Sequence, residues 1–67
     1  MNSPRPAERQ PRLLSAKRAA EYMGLPYTSL RDAAFRGELL VVKVASRWYF
    51  DVRDLDRFIE SHKERLL

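Results

Sequence analysis

The segment AAEYMGLPYTSLRDAAFRGEL, residues 19–39, holds two short helical patterns separated by a turn of only a few residues. The first pattern begins upstream and predicts a helix over residues 16–23. Its apolar side chains recur at positions i, i+3, i+4 and i+7 of one helical face: Ala16, Ala19, Ala20 and Met23. Ser15 is suited to cap this helix. Gly24 is expected to end it, since glycine adopts the left-handed conformation at little cost.

The second pattern predicts a helix over residues 27–36. Three side chains are expected on its inner face: Leu30, Ala33 and Ala34. Pro26 is acceptable just before this helix because no backbone N–H is needed there. Gly37 is expected to end the helix, and Leu25 is expected to bury the turn between the two helices.

Two helices joined this tightly meet the requirements of a helix-turn-helix unit. Such a unit needs a small residue on the first helix, a turn residue tolerant of positive φ, and a bulky apolar anchor on the second helix. Ala20, Gly24 and Leu30 occupy these three places. An ordinary helical hairpin without a DNA-binding role shows the same pattern, so both interpretations stay open at this point.

The residues after Gly37 predict a β-hairpin. The segment LLVVKV, residues 39–44, is rich in β-branched residues, and RWYF, residues 47–50, is mostly aromatic. The two residues between them, Ala45 and Ser46, lack the Asn-Gly or Asp-Gly sequence that two-residue loops prefer. This difference predicts a hairpin tip that is longer or mobile.

A third helix is predicted after the hairpin, with Asp51 as its N-cap and Asp54 in an approximate capping box. Its apolar stripe consists of Val52, Leu55, Phe58 and Ile59, with His62 and Leu66 as an extension. Helix, turn, helix, two-stranded wing and helix is the order of a winged helix-turn-helix. The predicted fold class is therefore α+β, mainly α, and the DNA-binding interpretation is favoured.

Composition indicates one small domain preceded by an arm. Residues 1–12 hold three prolines and several charges and predict a flexible basic arm, and residues 13–67 are the predicted domain. The chain of 67 residues has no cysteine and a single histidine, so no disulfide framework and no metal site is expected. No apolar run approaches the roughly 18 residues of a membrane span, so we expect a soluble cytoplasmic protein.

The charge distribution suits a polyanionic partner. The net charge is +4, with +2 on residues 1–12, +3 on residues 13–50 and −1 on residues 51–67. The positive charge thus lies on the arm and on the part that holds the two helices and the wing, which favours DNA. Many small soluble proteins are equally basic, so charge alone does not decide the function.

A family resemblance covers most of the chain. The run LLSAKRAAEYMGLPYTSLRDAAFRGELLVVKVASRWYFDVRDLDRFI, residues 13–59, resembles the excisionase-type DNA-binding domain, a branch of the MerR-like winged-helix superfamily. Its strongest parts are AAEYMGL, RGEL before the wing, VVKV and RW in the wing, and DVRDLDRFI in the closing helix. The resemblance implies a winged helix-turn-helix that binds double-stranded DNA.

Three groups of side chains are predicted to contact DNA. The recognition-helix group is Tyr27, Thr28, Ser29, Arg31 and Arg36, of which the arginine at 31 could bind guanine. The phosphate-binding group at the start of the first helix is Ser15, Lys17 and Arg18. The wing group is Lys43, Ser46 and Arg47, whose arginine could enter a minor groove.

Alternatives remain for several of these side chains. Asp32 is expected to pair with Arg36, and Arg31 is either a base contact or a solvated charge. Arg47 either enters a groove or pairs with an acidic residue of the third helix. Four aromatic residues are interpreted as core rather than as base-stacking platforms: Phe35, Trp48, Phe50 and Phe58. Tyr22 and Tyr49 are left open.

The resemblance implies an excisionase, a phage recombination directionality factor that binds tandem sites, bends DNA and assists an integrase, with possible head-to-tail self-association on DNA. A small transcription regulator or a DNA-binding module of a packaging terminase are alternatives. A protein-interaction module whose winged-helix surface binds another protein is an alternative of another class. The outer side of the third helix is also a natural surface for a protein partner. An enzyme is not expected, since the sequence has no cysteine, one histidine, no Gly-rich phosphate loop and no metal-ligand spacing. The carboxylates of Asp51, Asp54 and Asp56 are interpreted as a cap and a solvated face. No cofactor and no small-molecule ligand are expected.

Overall fold

The structure is a computed structural model that describes residues 11–67. The predicted arm over residues 1–12 lies outside the described residues except for its last two. Six elements follow one another along the chain: β1 (Leu13–Ser15), α1 (Ala16–Met23), α2 (Tyr27–Phe35), β2 (Val42–Val44), β3 (Arg47–Asp51) and α3 (Val52–Ser61). The predicted α+β winged helix-turn-helix is confirmed, and the helix over residues 27–36 ends one residue earlier than predicted.

The sheet has three strands instead of the two that the sequence predicted. Its order is β1-β3-β2, with both pairs antiparallel. The additional strand β1 has only three residues, too few to show an alternating pattern. It forms because Leu14 lies opposite Phe50 on β3, and both side chains are buried in the core. The strand thereby attaches the start of α1 to the wing.

The two glycines end α1 and α2 in the same way, as predicted. Gly24 has a φ of 70°, its N–H donates to the Glu21 carbonyl, and the next N–H, that of Leu25, donates to the Ala20 carbonyl. This pair of bonds is a Schellman motif. Gly37, with a φ of 77°, repeats the arrangement at the end of α2. The turn at Gly24 fixes where α2 lies relative to α1, and the turn at Gly37 fixes how the chain leaves α2.

The core confirms the predicted inner faces of the helices. The buried apolar side chains are Leu14, Ala19, Ala20, Leu30, Ala33, Leu39, Phe50 and Leu55, and Trp48 and Phe58 pack against them partly buried. Three expectations are wrong. Leu25 is exposed because Ala20 and Leu30 already fill the junction of the helices, and Leu66 is exposed because α3 ends at Ser61. Phe35 is also exposed, on the solvent side of α2.

Asp51 caps α3 as predicted and also forms an ion pair with Arg12. One carboxylate oxygen accepts the Arg53 N–H at 2.9 Å, and the other accepts from the Arg12 guanidinium at 2.8 Å. These hydrogen bonds, that of Arg12 foremost, lower the pKa of Asp51 below its ordinary value of 3.8. The stabilisation from the charged carboxylate is present above pH 3.8 and is lost as the pH falls through the lower pKa of the folded state.

The wing tip is a two-residue turn, which corrects the expectation of a longer tip. Val44 pairs with Arg47, and the intervening Ala45 and Ser46 have φ values of 52° and 68°. Positive φ at both central positions defines a type I′ turn, whose twist matches that of the flanking strands. The pairing of β2 with β3 therefore stabilises the turn enough to offset the conformational cost of positive φ at two residues that are not glycine.

Replacing Ala45 by asparagine and Ser46 by glycine together is expected to stabilise the domain. The change removes a conformational cost of about 1–2 kcal/mol, because Asn-Gly is the preferred type I′ sequence. A rise in Tm of roughly 5–10 °C is expected for a domain of this size, measured by thermal denaturation followed by circular dichroism. The same pair with the residues reversed, Gly-Asn, is the control of equal composition. An unchanged Tm in the Asn-Gly variant would contradict a type I′ tip.

Candidate nucleic-acid interface

All eleven side chains that the sequence assigned to DNA contact are exposed in the structure. Four of the recognition-helix group lie on α2, and the fifth, Arg36, caps its C-terminus. The phosphate-binding group lies at the junction of β1 and α1, and the wing group lies on β2, the tip and the first residue of β3. Contact with DNA itself stays a prediction for every one of them.

A groove brings members of all three groups together. It has a volume of about 340 Å³ and is lined by Ser15, Ala16, Tyr27, Ser46, Arg47, Trp48 and Tyr49. The β1–α1 junction, the first residue of α2 and the wing tip therefore border one concave surface. This happens because β1 pairs with β3, with Ser15 opposite Tyr49, which brings the start of α1 to the wing.

The start of α1 combines a helix N-terminus with two cations. Ser15 caps the helix, and its hydroxyl accepts the Arg18 N–H at 3.3 Å. The side chains of Lys17 and Arg18 are exposed beside it. The first N–H groups of a helix have no partner within the helix and favour an anion such as a phosphate. The predicted phosphate-binding group is therefore accessible and electrostatically suited to that role.

Arg31 lies on the exposed side of α2 between two aromatic residues that are each four positions away, Tyr27 and Phe35. The centre of its guanidinium is 5.2 Å from the centroid of the Phe35 ring, within the range of a cation–π contact. In the part of the chain that the structure describes, Arg31 has no carboxylate partner. The arginine at the predicted base-reading position thus keeps its charge unneutralised by these residues.

Arg36 does not pair with Asp32 as expected, but with Glu38. Two nitrogens of its guanidinium donate to the two carboxylate oxygens of Glu38, at 3.1 and 3.2 Å. This hydrogen bonding raises the pKa of Arg36 and lowers the pKa of Glu38. The Schellman turn at Gly37 folds the chain back beside α2. Glu38 is therefore better placed than Asp32, one helical turn back, to pair with the Arg36 guanidinium.

Replacing Glu38 by glutamine is expected to tighten DNA binding about two- to fivefold at low salt. The change frees the Arg36 guanidinium from an exposed ion pair that salt screens, and it removes a negative charge beside a predicted DNA contact. Fluorescence anisotropy with a labelled duplex measures the effect. Glu64→Gln, the same change at an exposed residue after α3, is the control, and an equal gain there would contradict a role for Arg36.

Arg47 does not pair with an acidic residue of the third helix within residues 11–67. The carboxylates there bind other groups: Asp54 pairs with Arg57, Asp56 accepts from the hydroxyl of Tyr22 at 2.8 Å, and Glu60 pairs with Lys63. The hydrogen bond to Asp56 raises the pKa of Tyr22. Arg47 is exposed at the wing tip, and Lys43 is exposed on the neighbouring strand.

The described residues contain no group of three or more His, Cys, Asp or Glu side chains arranged to hold a metal ion. Within residues 11–67, no helix is long and apolar enough to cross a membrane.

Asp51 and Asp54, two of the acidic residues considered in the sequence, each bind an arginine. The exposed side chains of α3 are otherwise those predicted for its solvated face: Arg53, Asp56, Arg57 and Glu60, continued by Lys63 after the helix.

Phe35 is the residue of this surface that the sequence interpretation missed. It is 65 % exposed and belongs to the outer face of α2, although it was assigned to the core because it is aromatic. Its spacing of four residues from Arg31 was the available signal, because side chains at i and i+4 of a helix are neighbours.

A family model described as a helix-turn-helix domain matches residues 13–63, which include all six elements of the structure. Searches of curated proteins and of solved structures found no significant match.

Proposed function

The chain belongs to the helix-turn-helix domain family, a family of DNA-binding domains, and from this premise we propose that it is an excisionase, a sequence-specific accessory factor of recombination. In this proposal it binds tandem sites on double-stranded DNA, bends the DNA and assists an integrase in prophage excision. Such a role belongs to the cytoplasm of a bacterial host.

One observation carries the DNA-binding part of the proposal. The groove bordered by Ser15, Tyr27 and Arg47 unites the start of α1, the start of α2 and the wing tip. In a winged helix-turn-helix, the second helix enters the major groove, and a wing arginine can enter the adjacent minor groove. The cations beside the N-terminus of α1 would then contact the phosphate backbone between the two.

The size of the domain supports the use of repeated sites. A single small module buries limited surface on DNA and binds with modest affinity. Specificity then comes from adjacent copies or from a second DNA-bound protein, because linked binding events raise the effective affinity. The resemblance to excisionase-type domains supports head-to-tail copies on DNA and an integrase partner. In this proposal the integrase would bind the exposed polar face of α3, whose residues do not line the groove.

The first experiment is to incubate the purified full-length protein with fragments of its source genome at moderate salt and to sequence the retained DNA. Tandem sites beside an integrase attachment region are the expected result, and retained DNA should show increased curvature in a circular-permutation mobility assay. Enrichment of promoters would replace the excisionase with a transcription regulator, and enrichment of a packaging start would indicate a terminase module. No salt-sensitive enrichment at all would indicate a protein-interaction module.

A further inference from the structure

Three aromatic rings connect the core of the domain to Arg31. Phe50 is fully buried, and its ring lies against that of Trp48 with centroids 6.5 Å apart at 72°. Trp48 in turn lies against Phe35, with centroids 5.3 Å apart at 59°. The Arg31 guanidinium lies over the Phe35 ring at 5.2 Å. We call these four residues the aromatic stack, and each of its contacts has favourable geometry.

The position of Phe35 in this stack is not explained by burial. An aromatic side chain that is 65 % exposed leaves most of its apolar surface in water. Its ring instead contacts that of Trp48 on the wing strand β3, and its face lies under the Arg31 guanidinium. Because Phe35 and Arg31 are four residues apart on α2, both project from the face of that helix that would meet DNA.

A supported arginine binds a base edge more readily than a free one. The arginine side chain has several rotatable bonds, and their freedom is lost when its planar fork docks on a guanine. Contact with the Phe35 ring, which Trp48 holds in place, restricts rotation about these bonds in the free protein. Less conformational entropy of the arginine side chain is then lost when DNA binds. The exposed cationic edge of the guanidinium keeps its donors available for the base.

We propose that Phe35 is a positioning residue that holds Arg31 in the orientation that reads a base, and that Trp48 holds Phe35. The wing and the recognition helix then act as one unit, since Trp48 follows the wing residue Arg47 directly in β3. This inference rests on the proposed DNA binding and adds to it a route by which a residue with no base contact of its own sets specificity.

A double-mutant cycle tests the inference. Phe35→Leu keeps apolar bulk but removes the ring face, and Phe35→Tyr keeps the face and is the conservative control. Each is made in the full chain and combined with Arg31→Ala. The probe is a duplex that the wild-type protein selects from a randomised library, together with the duplexes that differ from it by one base pair. Because Phe35 is exposed, both variants are expected to keep a Tm close to that of the wild type.

The expected result has three parts. Phe35→Leu weakens binding to the selected duplex roughly 2- to 5-fold, the range of a cation–π contact at an exposed site. The same replacement has no further effect in the Arg31→Ala protein. Phe35→Leu and Arg31→Ala each lose the ability to distinguish the selected duplex from the one altered at the same base pair. Phe35→Tyr retains that ability.

Two results would overturn the inference. If Phe35→Leu weakens binding equally with and without Arg31, then Phe35 contacts DNA itself. If Phe35→Leu binds the selected duplex like the wild type, then the ring does not position Arg31. Failure of the proposed function is distinct from both, because the wild-type protein would then select no duplex from the library at any salt concentration.

Discussion

Replacing Phe50 by alanine is expected to unfold most of the protein at 25 °C. The side chain is fully buried, lies opposite Leu14 in the sheet and packs against Trp48. Removing a buried phenylalanine ring costs about 3–5 kcal/mol, because apolar contacts are lost and a cavity remains. The single core of a domain this small rarely supplies more than about 3–5 kcal/mol of net stability. Loss of far-UV circular dichroism and of a cooperative urea transition would be measured.

Phe35→Ala is the matched control for this prediction. The same ring is removed by the same replacement, but from a side chain that is mostly exposed. Its Tm is expected to fall by only a few degrees, since the ring contributes one contact with Trp48 and little buried area. A Phe50→Ala protein that melts as cooperatively as the control would show that the core does not depend on Phe50.

The sequence was sufficient to predict those features that depend only on residues close to one another in the chain. Ser15 and Asp51 cap their helices because a short polar side chain before a helix has few better partners than the free N–H groups. Gly24 and Gly37 end helices because they take positive φ readily. These four residues fix four of the six helix ends, and with the spacing of the alanines and leucines they made the winged helix-turn-helix predictable.

The errors concern contacts that depend on distant parts of the chain. The strand β1 exists only because β3 lies beside it, and a three-residue segment carries no pattern of its own. Phe35 was assigned to the core by residue type, yet its surroundings are set by Trp48, thirteen positions later in the chain. Arg36 has two acidic residues within reach, and the turn at Gly37 decides between them in favour of Glu38.

In the candidate interface, too, features set by nearby residues were predictable and contacts between distant residues were not. Helical spacing alone predicted that the side chains of α2 assigned to DNA contact would be exposed. The meeting of Ser15, Tyr27 and Arg47 at one groove was not derivable from spacing, because it depends on the pairing of β1 with β3 and on the two-residue wing tip. A tip with another turn type would have directed Arg47 elsewhere.

Arg47→Ala is expected to weaken binding to the selected duplex about 10- to 100-fold. In the proposed complex this arginine enters the minor groove, where the potential is most negative when the groove is narrow. The loss should therefore be greatest for duplexes with an A·T-rich segment under the wing. Replacing that segment with G·C pairs should weaken the wild-type protein but have little effect on the variant. Fluorescence anisotropy over a salt series measures both the affinity and the number of phosphate charges engaged.

Arg65→Ala is the control, since it removes the same charge from an exposed position beyond α3. The slope of log affinity against log salt is expected to fall by about one for Arg47→Ala and to stay unchanged for Arg65→Ala. Equal losses in the two variants would mean that the net charge of the protein drives binding and that the wing has no specific place on the DNA. A loss confined to Arg47→Ala, and dependent on the A·T-rich segment, is the result expected if the wing lies in the minor groove.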